Sequence, residues 1–335
     1  FPDGTVPDYL YAGPDGAGIG NEGDPAVDPS KYVFDPNNPG NDYLIQKVPK
    51  EGADWFHQVF KPANTQSHTL SVSGASDKAN YLFSFNYLNQ QGALIETYLK
   101  RYSVRVNTEY HVNNNIRIGE NAYVFYKDNP SINNQNQDNA IFMAYAMPSF
   151  IPAYDIMGNY GGTWTGPELG TRWNPVAMLR NSHNNKANTW DVIGNMYAEV
   201  DFLKNFTIRT SIGGTVDNQY FYDFFPNRYQ DKEQHSGINK YDENSLYNSS
   251  WIWTNTLTYN RTFDRHSVKL LAGSEAIRNY GRSVGGSSQG FFSSDPDYLI
   301  LNNGTANVTN YSSAYLNKLY SLFGRLDYAY DGKYL

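Results

Sequence analysis

Glu199 and Asp201 stand two residues apart and are the pair in this chain that most resembles acid–base machinery. Side chains at i and i+2 of a strand share one face. Such a pair therefore falls within the ~5–9.5 Å between carboxyls that glycoside hydrolysis uses. Any polar strand face produces the same spacing, so the pair reads as polar lining. The six histidines, His57, His68, His111, His183, His235 and His266, form no HExxH or HxH arrangement that would hold zinc. Asp24, Asp28 and Asp35 lack the alternate-position ligands and terminal Glu of a calcium loop and read as turn residues. The glycines of 158–162 and 281–286 neither follow a parallel strand nor precede a helix with a Lys, so they read as loop, not phosphate cradle. Asn248, Asn260 and Asn303 begin Asn-x-Ser/Thr triplets, which on their own do not establish glycosylation. No catalytic group, metal site or cofactor is expected.

Binding is the chemistry left. Tyr154, Tyr160, Trp164, Arg172 and Trp173 lie amid Asn and Gly in the segment 128–186, and Tyr229 lies in a second such segment, 218–248. Aromatic faces beside planar polar groups are what sugars and peptides stack on and hydrogen-bond with. These six are the candidate substrate contacts. The competing reading is that they pack a folded loop or touch a partner. Phe224, Phe225 and Arg228, with Phe291, Phe292, Asp295, Asp297 and Tyr298 of the segment 279–317, are similar candidates for a rim.

Composition narrows the scaffold. The 335 residues include 29 Tyr, 28 Gly, 16 Pro and no Cys, which excludes disulfides, iron–sulfur clusters and thiol catalysis. A net charge of −7 supplies no basic stripe for nucleic acid. No run approaches the ~18 apolar residues of a transmembrane helix, a test that does not exclude a membrane β-barrel. The chain opens at Phe1 without a leader-like run and stops just after Asp331-Gly332-Lys333, so it reads as a piece of a larger architecture.

Period-two alternation begins after an irregular segment, 1–64. In Arg101–Val112 the even positions are Tyr102, Val104, Val106, Thr108, Tyr110 and Val112, against Arg101, Ser103, Arg105, Asn107, Glu109 and His111. Residues 80–89, 189–202 and 206–216 repeat the pattern, and 66–74, 116–127, 249–263, 267–278 and 318–330 read as further strands. Several exceed the ~5–6 residues of soluble sheets and suit the ~9–11 of a tilted membrane strand. Tight connections at 76–78, 113–115, 203–205, 264–266 and 331–333 alternate with long ones at 90–97, 128–186, 218–248 and 279–317. An up-and-down outer-membrane barrel, with short periplasmic turns and long extracellular loops, produces that alternation. Trp190, Phe202, Trp251, Trp253, Phe263, Tyr328 and Tyr330 cluster near strand ends, where an interfacial girdle belongs.

The sequence also resembles a known family. Asp54-Trp55-Phe56-His57-Gln58-Val59-Phe60 precedes a Leu70-Ser71-Val72-Ser73-Gly74-Ala75-Ser76 strand, the turn Gln90-Gln91-Gly92 and Arg101-Tyr102-Ser103-Val104-Arg105-Val106-Asn107. Further on come Ile151-Pro152-Ala153-Tyr154-Asp155, Asn174-Pro175 and Gly324-Arg325-Leu326-Asp327-Tyr328. In this order the motifs resemble the early barrel of the SusC/RagA family of TonB-linked outer-membrane transporters of Bacteroidota. Ala75 and Gln91 stand where Gly and Glu are usual.

The resemblance implies an all-β fold: an antiparallel transmembrane β-barrel of 22 strands, of which this chain holds about nine and the start of a tenth. The plug domain lies outside the chain, and 65–335 is the early barrel. It implies no enzyme but uptake of oligosaccharides or oligopeptides at the cell outer membrane. The partners it implies are a SusD-like surface lipoprotein, the TonB–ExbB–ExbD complex acting through parts outside this chain, and outer-membrane lipid. Two other readings stay open: a soluble or surface-attached all-β carbohydrate-binding or adhesive protein, and a complete small barrel of eight to ten strands.

Overall fold

The computed structural model describes residues 4–332 apart from 37, 132–138, 167–168, 233–234 and 236. Lys333, Tyr334 and Leu335, expected to leave a turn for a further strand, lie outside the described residues.

Nine antiparallel strands form one sheet in sequence order: β4 (Thr65–Ala75), β5 (Ala79–Gln91), β6 (Tyr98–Asn113), β7 (Ile116–Asn129), β8 (Lys186–Phe202), β9 (Phe206–Phe225), β10 (Lys240–Phe263), β11 (His266–Gln289) and β12 (Ala306–Tyr330). Each expected strand is present. Leu203 and Lys204 in the three-residue turn 203–205 and Asp264 in the two-residue turn 264–265 adopt left-handed φ (51°, 60° and 51°), as tight hairpin connections require. The tight turns all lie at one end of the sheet and the long connections at the other.

Cross-strand register sorts the two faces. Phe83, Val106, Ala122, Gly194 and Gly214 follow one another across one face; Leu70, Met196, Ile212, Leu257, Leu322 and Leu326 share it. Leu70, Met196, Leu322 and Leu326 are each at least 63% exposed to probe, the property of a wall that meets lipid and not a packed layer. The opposite face carries Arg105, Asn107, Glu109, Arg117, Asn121, Asn195, Glu199 and Arg209. It is less uniformly polar than the early strands suggest, since Ile252, Ile277 and Leu319 pair across it.

An aromatic ladder crosses five strands of the apolar face: His68, Tyr87, Tyr102, Tyr126 and Trp190, with ring centroids 6.2, 5.0, 6.5 and 4.8 Å apart. Nearer the turns, Phe202, Phe206 and Tyr259 make a second, at 5.5 and 4.9 Å. Two bands of rings bounding an apolar strip are the girdles expected of a barrel wall.

Two sequence expectations need correction. Strands β9 to β12 run far past the predicted limits, absorbing 218–225, 240–248, 279–289 and 306–317 from the expected loops. Beyond the apolar strip both faces meet water, so hydrophobic alternation ends while the hydrogen-bonded ladder continues. The glycines of 281–286 are likewise strand, not loop. Gly281 faces Tyr315, and a Cβ there would overlap its ring. The segment before β4, expected to be irregular, also contains regular elements. It holds a small sheet of β1 (Tyr9–Gly13), β2 (Gly16–Gly20) and β3 (Leu44–Lys47), then helix α1 (Trp55–Val59). Because β4 runs from the long-loop end toward a tight turn, this segment packs among the long loops.

Candidate functional site

The long connections fold together into one assembly. Helices α1, α2 (Ala140–Ala146) and α3 (Pro175–Asn181) converge on a dry cluster of Trp55, Val59, Met147, Ile151, Val176 and Leu179. Each helix opens on a capping side chain: Asp54 accepts from His57 N–H, Asn139 from Phe142 N–H, and Asn174 from Val176 and Ala177 N–H. Asn174 is fully buried, and its Nδ2 donates to the Ala153 and Gly161 carbonyls at 2.9 and 2.8 Å, so its whole amide is satisfied. Gln46 of β3, also fully buried, makes reciprocal bonds to Gly162 N–H and C=O at 2.9 and 3.0 Å. The small sheet is thereby fastened to the β7–β8 connection.

A second layer of polar contacts joins three segments. Tyr32 O–H donates to Asp155 Oδ2 at 2.5 Å and accepts from Asn159 Nδ2 at 2.7 Å. Burial raises the Asp155 carboxyl above its ordinary range despite that bond and those from Met157 and Asn159 N–H. Burial likewise raises Tyr32 and Tyr229. Both ring nitrogens of His235 face carbonyl oxygens, Nδ1 that of Tyr229 and Nε2 that of Pro39 at 2.8 Å, and Asp42 Oδ2 lies 3.8 Å from Nε2. Asp42 is fully buried, its Oδ2 has no hydrogen bond among the described residues, and burial raises its carboxyl too.

Most of the six candidate contacts serve this packing. Tyr154 and Tyr160 stack at 5.7 Å, and Tyr154 stays 44% exposed. Tyr229 accepts from Tyr160 N–H at 2.7 Å and packs on Phe34 at 4.4 Å. Trp164 lies flat on His235 at 3.5 Å. The Arg172 guanidinium sits 5.6 Å from the Phe142 ring. Trp173 differs: it is covered on one face by the Arg228 guanidinium at 3.4 Å and lines a cavity.

That cavity, about 560 Å³, lies between α3, the β9–β10 connection and the polar face of the strands. Trp173, Asp223, Phe225, Asn227, Arg228 and Lys240 line it. Its volume is within the ~300–1,000 Å³ of small-molecule sites. Cations, a carboxylate and aromatic faces together suit a polar chain molecule with apolar patches. Asn227 Oδ1 has no hydrogen-bond partner among the described residues. Asp223 and Lys240 escaped the sequence reading because they belong to strand extensions with no alternation to mark them.

Lower on the polar face, the Glu199–Asp201 pair is spent on ion pairing. Arg117 bridges Glu199 and Asp201, Arg209 reaches Glu199 at 3.1 Å, and Thr207 donates to Asp201 at 2.6 Å. Glu109 continues the network to His111 and Tyr197. Among the described residues no three His, Cys, Asp or Glu side chains group as metal ligands.

No protein-family model matches the chain. A TonB-dependent receptor of Formosa agariphila is 27% identical over 293 residues, covering 84% of this chain and 28% of that protein. The TonB-dependent receptor SusC of Bacteroides thetaiotaomicron is 24% identical over 333 residues, covering 88% of this chain and 30% of that protein. The chain thus spans under a third of the length of these relatives. Among solved structures, the RagAB peptide transporter superposes with a TM-score of 0.69 at 22% identity, over 84% of this chain and 32% of that one. The RagAB peptide importer in its "closed-closed" state gives 0.70 at 23%, over 85% and 32%. The fold is therefore that of a stretch of outer-membrane β-barrel wall, with one apolar and one polar face and its long connections gathered at one end.

Proposed function

From the premise that this is a stretch of wall from a SusC/RagA-type TonB-dependent receptor, we propose that it serves active uptake of oligosaccharides or oligopeptides across the outer membrane. The strands of residues 65–335 act as barrel wall, and residues 1–64 with the connections after β7, β9 and β11 act as the extracellular rim. A SusD-like surface lipoprotein delivers substrate to that rim, and TonB coupling drives release inward through parts of the receptor outside this chain.

One observation carries the reading. The long connections are folded on their own buried core and leave a cavity of about 560 Å³ that opens beside the lumen-facing side chains Asp223 and Lys240. Of the six candidate contacts, Trp173 has the strongest claim on substrate, because it lines that cavity. Tyr154, Tyr160, Trp164, Arg172 and Tyr229 act at one remove, by holding the loops in place.

The test uses the full-length receptor in cells lacking their own copy, supplied with labelled oligosaccharide and oligopeptide pools. Uptake of one pool should require TonB and fall several-fold for Trp173→Ala, with the barrel still folded. Uptake unchanged by deleting either the receptor or TonB would overturn the proposal.

A further inference from the structure

Three cations stand on the lipid-facing side of β11 and β12, unpaired among the described residues. Register fixes their placement: Arg278 lies directly opposite Lys318, with Trp251 on its other flank, and Arg282 lies opposite Tyr247 and Ala314. Leu270, Ala272 and Ala276 of β11 and Leu322 and Leu326 of β12 occupy the same face nearer the turns. Among the described residues none of the three cations has a hydrogen bond or an ion pair; Arg278 only leans on the Tyr280 ring at 5.4 Å. The acidic side chain on this face of β10–β12 is Glu243, which faces Gly286, a further four residues along the strand from Arg282, and is held by Tyr220 O–H at 2.6 Å. Like charges placed directly across two strands destabilise a sheet. An anion between Arg278 and Lys318 reverses the sign of that contact.

Their height identifies the anion. Arg278 and Lys318 each lie twelve residues from the tight-turn end of their strand, at His266 and Tyr330. Trp251 is twelve from Phe263, and the girdle residue Trp190 is twelve from Phe202. The cations therefore continue the outer aromatic girdle. At ~3.4 Å per residue and ~40° tilt, twelve residues climb roughly 30 Å, just beyond the ~25 Å apolar band of an outer-membrane barrel. Arg282, four residues on, reaches about 13 Å further along the strand into the headgroup layer. The β11–β12 connection folds down over this same face above them, where Leu301 covers Gly286 and Phe291 and Leu299 pack on Phe224 and Tyr241.

We propose that Arg278, Arg282 and Lys318 form a binding site for the phosphate groups of an outer-leaflet lipid headgroup. Guanidinium forks suit phosphate oxygens in pairs and an ammonium adds a point charge. The overhanging loop limits the room above, and the girdle rings flank the sugar or glycerol beneath the phosphate. The site rests on the outer-membrane placement proposed above.

The test compares the full-length receptor in detergent with a triple variant, Arg278→Gln, Arg282→Gln and Lys318→Gln, by native mass spectrometry. The probes are diphosphorylated lipid A, the same lipid after enzymatic dephosphorylation, and inorganic phosphate. The receptor should retain the phosphorylated lipid at least ten-fold better than the dephosphorylated one, and the triple variant should lose that preference. Lys318→Gln alone should cost about three-fold, and the preference should weaken with salt. Equal retention of the two lipids, equal retention by receptor and variant, or inorganic phosphate bound as tightly as the lipid would overturn the site. A receptor that needs no detergent to stay dispersed would instead refute the barrel placement. Heat-modifiable gel mobility shared by receptor and variant shows that both barrels are folded.

Discussion

The Tyr229 hydroxyl accepts the Tyr160 backbone N–H at 2.7 Å across 69 residues of sequence, joining the β9–β10 connection to the β7–β8 connection. Tyr229→Phe keeps the ring against Phe34 and leaves that N–H without its partner. The expected cost is about 1–3 kcal/mol, confined to the loop assembly. Limited proteolysis should cut the loops of the variant several-fold faster, with heat-modifiable mobility of the barrel unchanged. Unchanged loop protection would show that this bond does not fasten them.

Asn174 combines a helix cap with two further bonds to carbonyls and has no contact with solvent. Asn174→Ala should destabilise the loop assembly by roughly 2–4 kcal/mol, adding a lost cap to two stranded carbonyls. Asn174→Asp keeps the cap but not the donors and should fall between. Hydrogen exchange of α3 amides reads the order directly, and an alanine variant as protected as the parent contradicts it.

Loop stability should fall as pH rises. Burial lifts the Asp155 and Asp42 carboxyls above their ordinary value near 3.8. The favourable contribution of each neutral acid is complete below that unfolded value and is lost as pH climbs through the higher folded one. Exchange of amides 150–165, corrected for intrinsic rates, should therefore quicken as pH rises above about 4, and Asp155→Asn should flatten the trend. Protection that grows over this range would contradict the burial argument.

In the lumen, Glu199 accepts from both Arg117 and Arg209 with its side chain 16% exposed. Glu199→Gln leaves two guanidiniums sharing a neutral partner, and both are more than a third exposed, so solvent screens the loss to about 1 kcal/mol. The midpoint of the heat-induced mobility shift should drop by a few degrees. A rise would mean that the acid is strained rather than stabilising.

Much of this architecture is legible in sequence, and the legible part has a common cause. Where one face meets lipid and the other water, as in Arg101–Val112, side-chain type must alternate, and every strand carrying that signal is present. Above the membrane the constraint vanishes. Tyr241–Tyr247 and Ser283–Gln289 read as loop although they are paired strand, because hydrogen bonding by the backbone leaves no trace in side-chain polarity. The candidate site was readable only in outline. Aromatic residues in long loops signalled a folded assembly, but nothing local separates Trp173, which lines a cavity, from Trp164, which covers His235. That distinction depends on Arg228 and His235, more than 50 residues away. Arg278, Arg282 and Lys318 likewise look scattered until the β11–β12 register brings them to one face.

The central claim is that adjacent residues of these strands face lipid and lumen in turn. With no cysteine in the chain to compete, single cysteines can be placed at Ser321 and Leu322, Asn195 and Met196, and Ser211 and Ile212 of the full-length receptor, cleared of any other reactive thiol, in outer-membrane vesicles. A water-soluble maleimide should label positions 321, 195 and 211 at least ten-fold faster than positions 322, 196 and 212. Equal labelling within each pair, or the reverse order, would contradict the barrel wall.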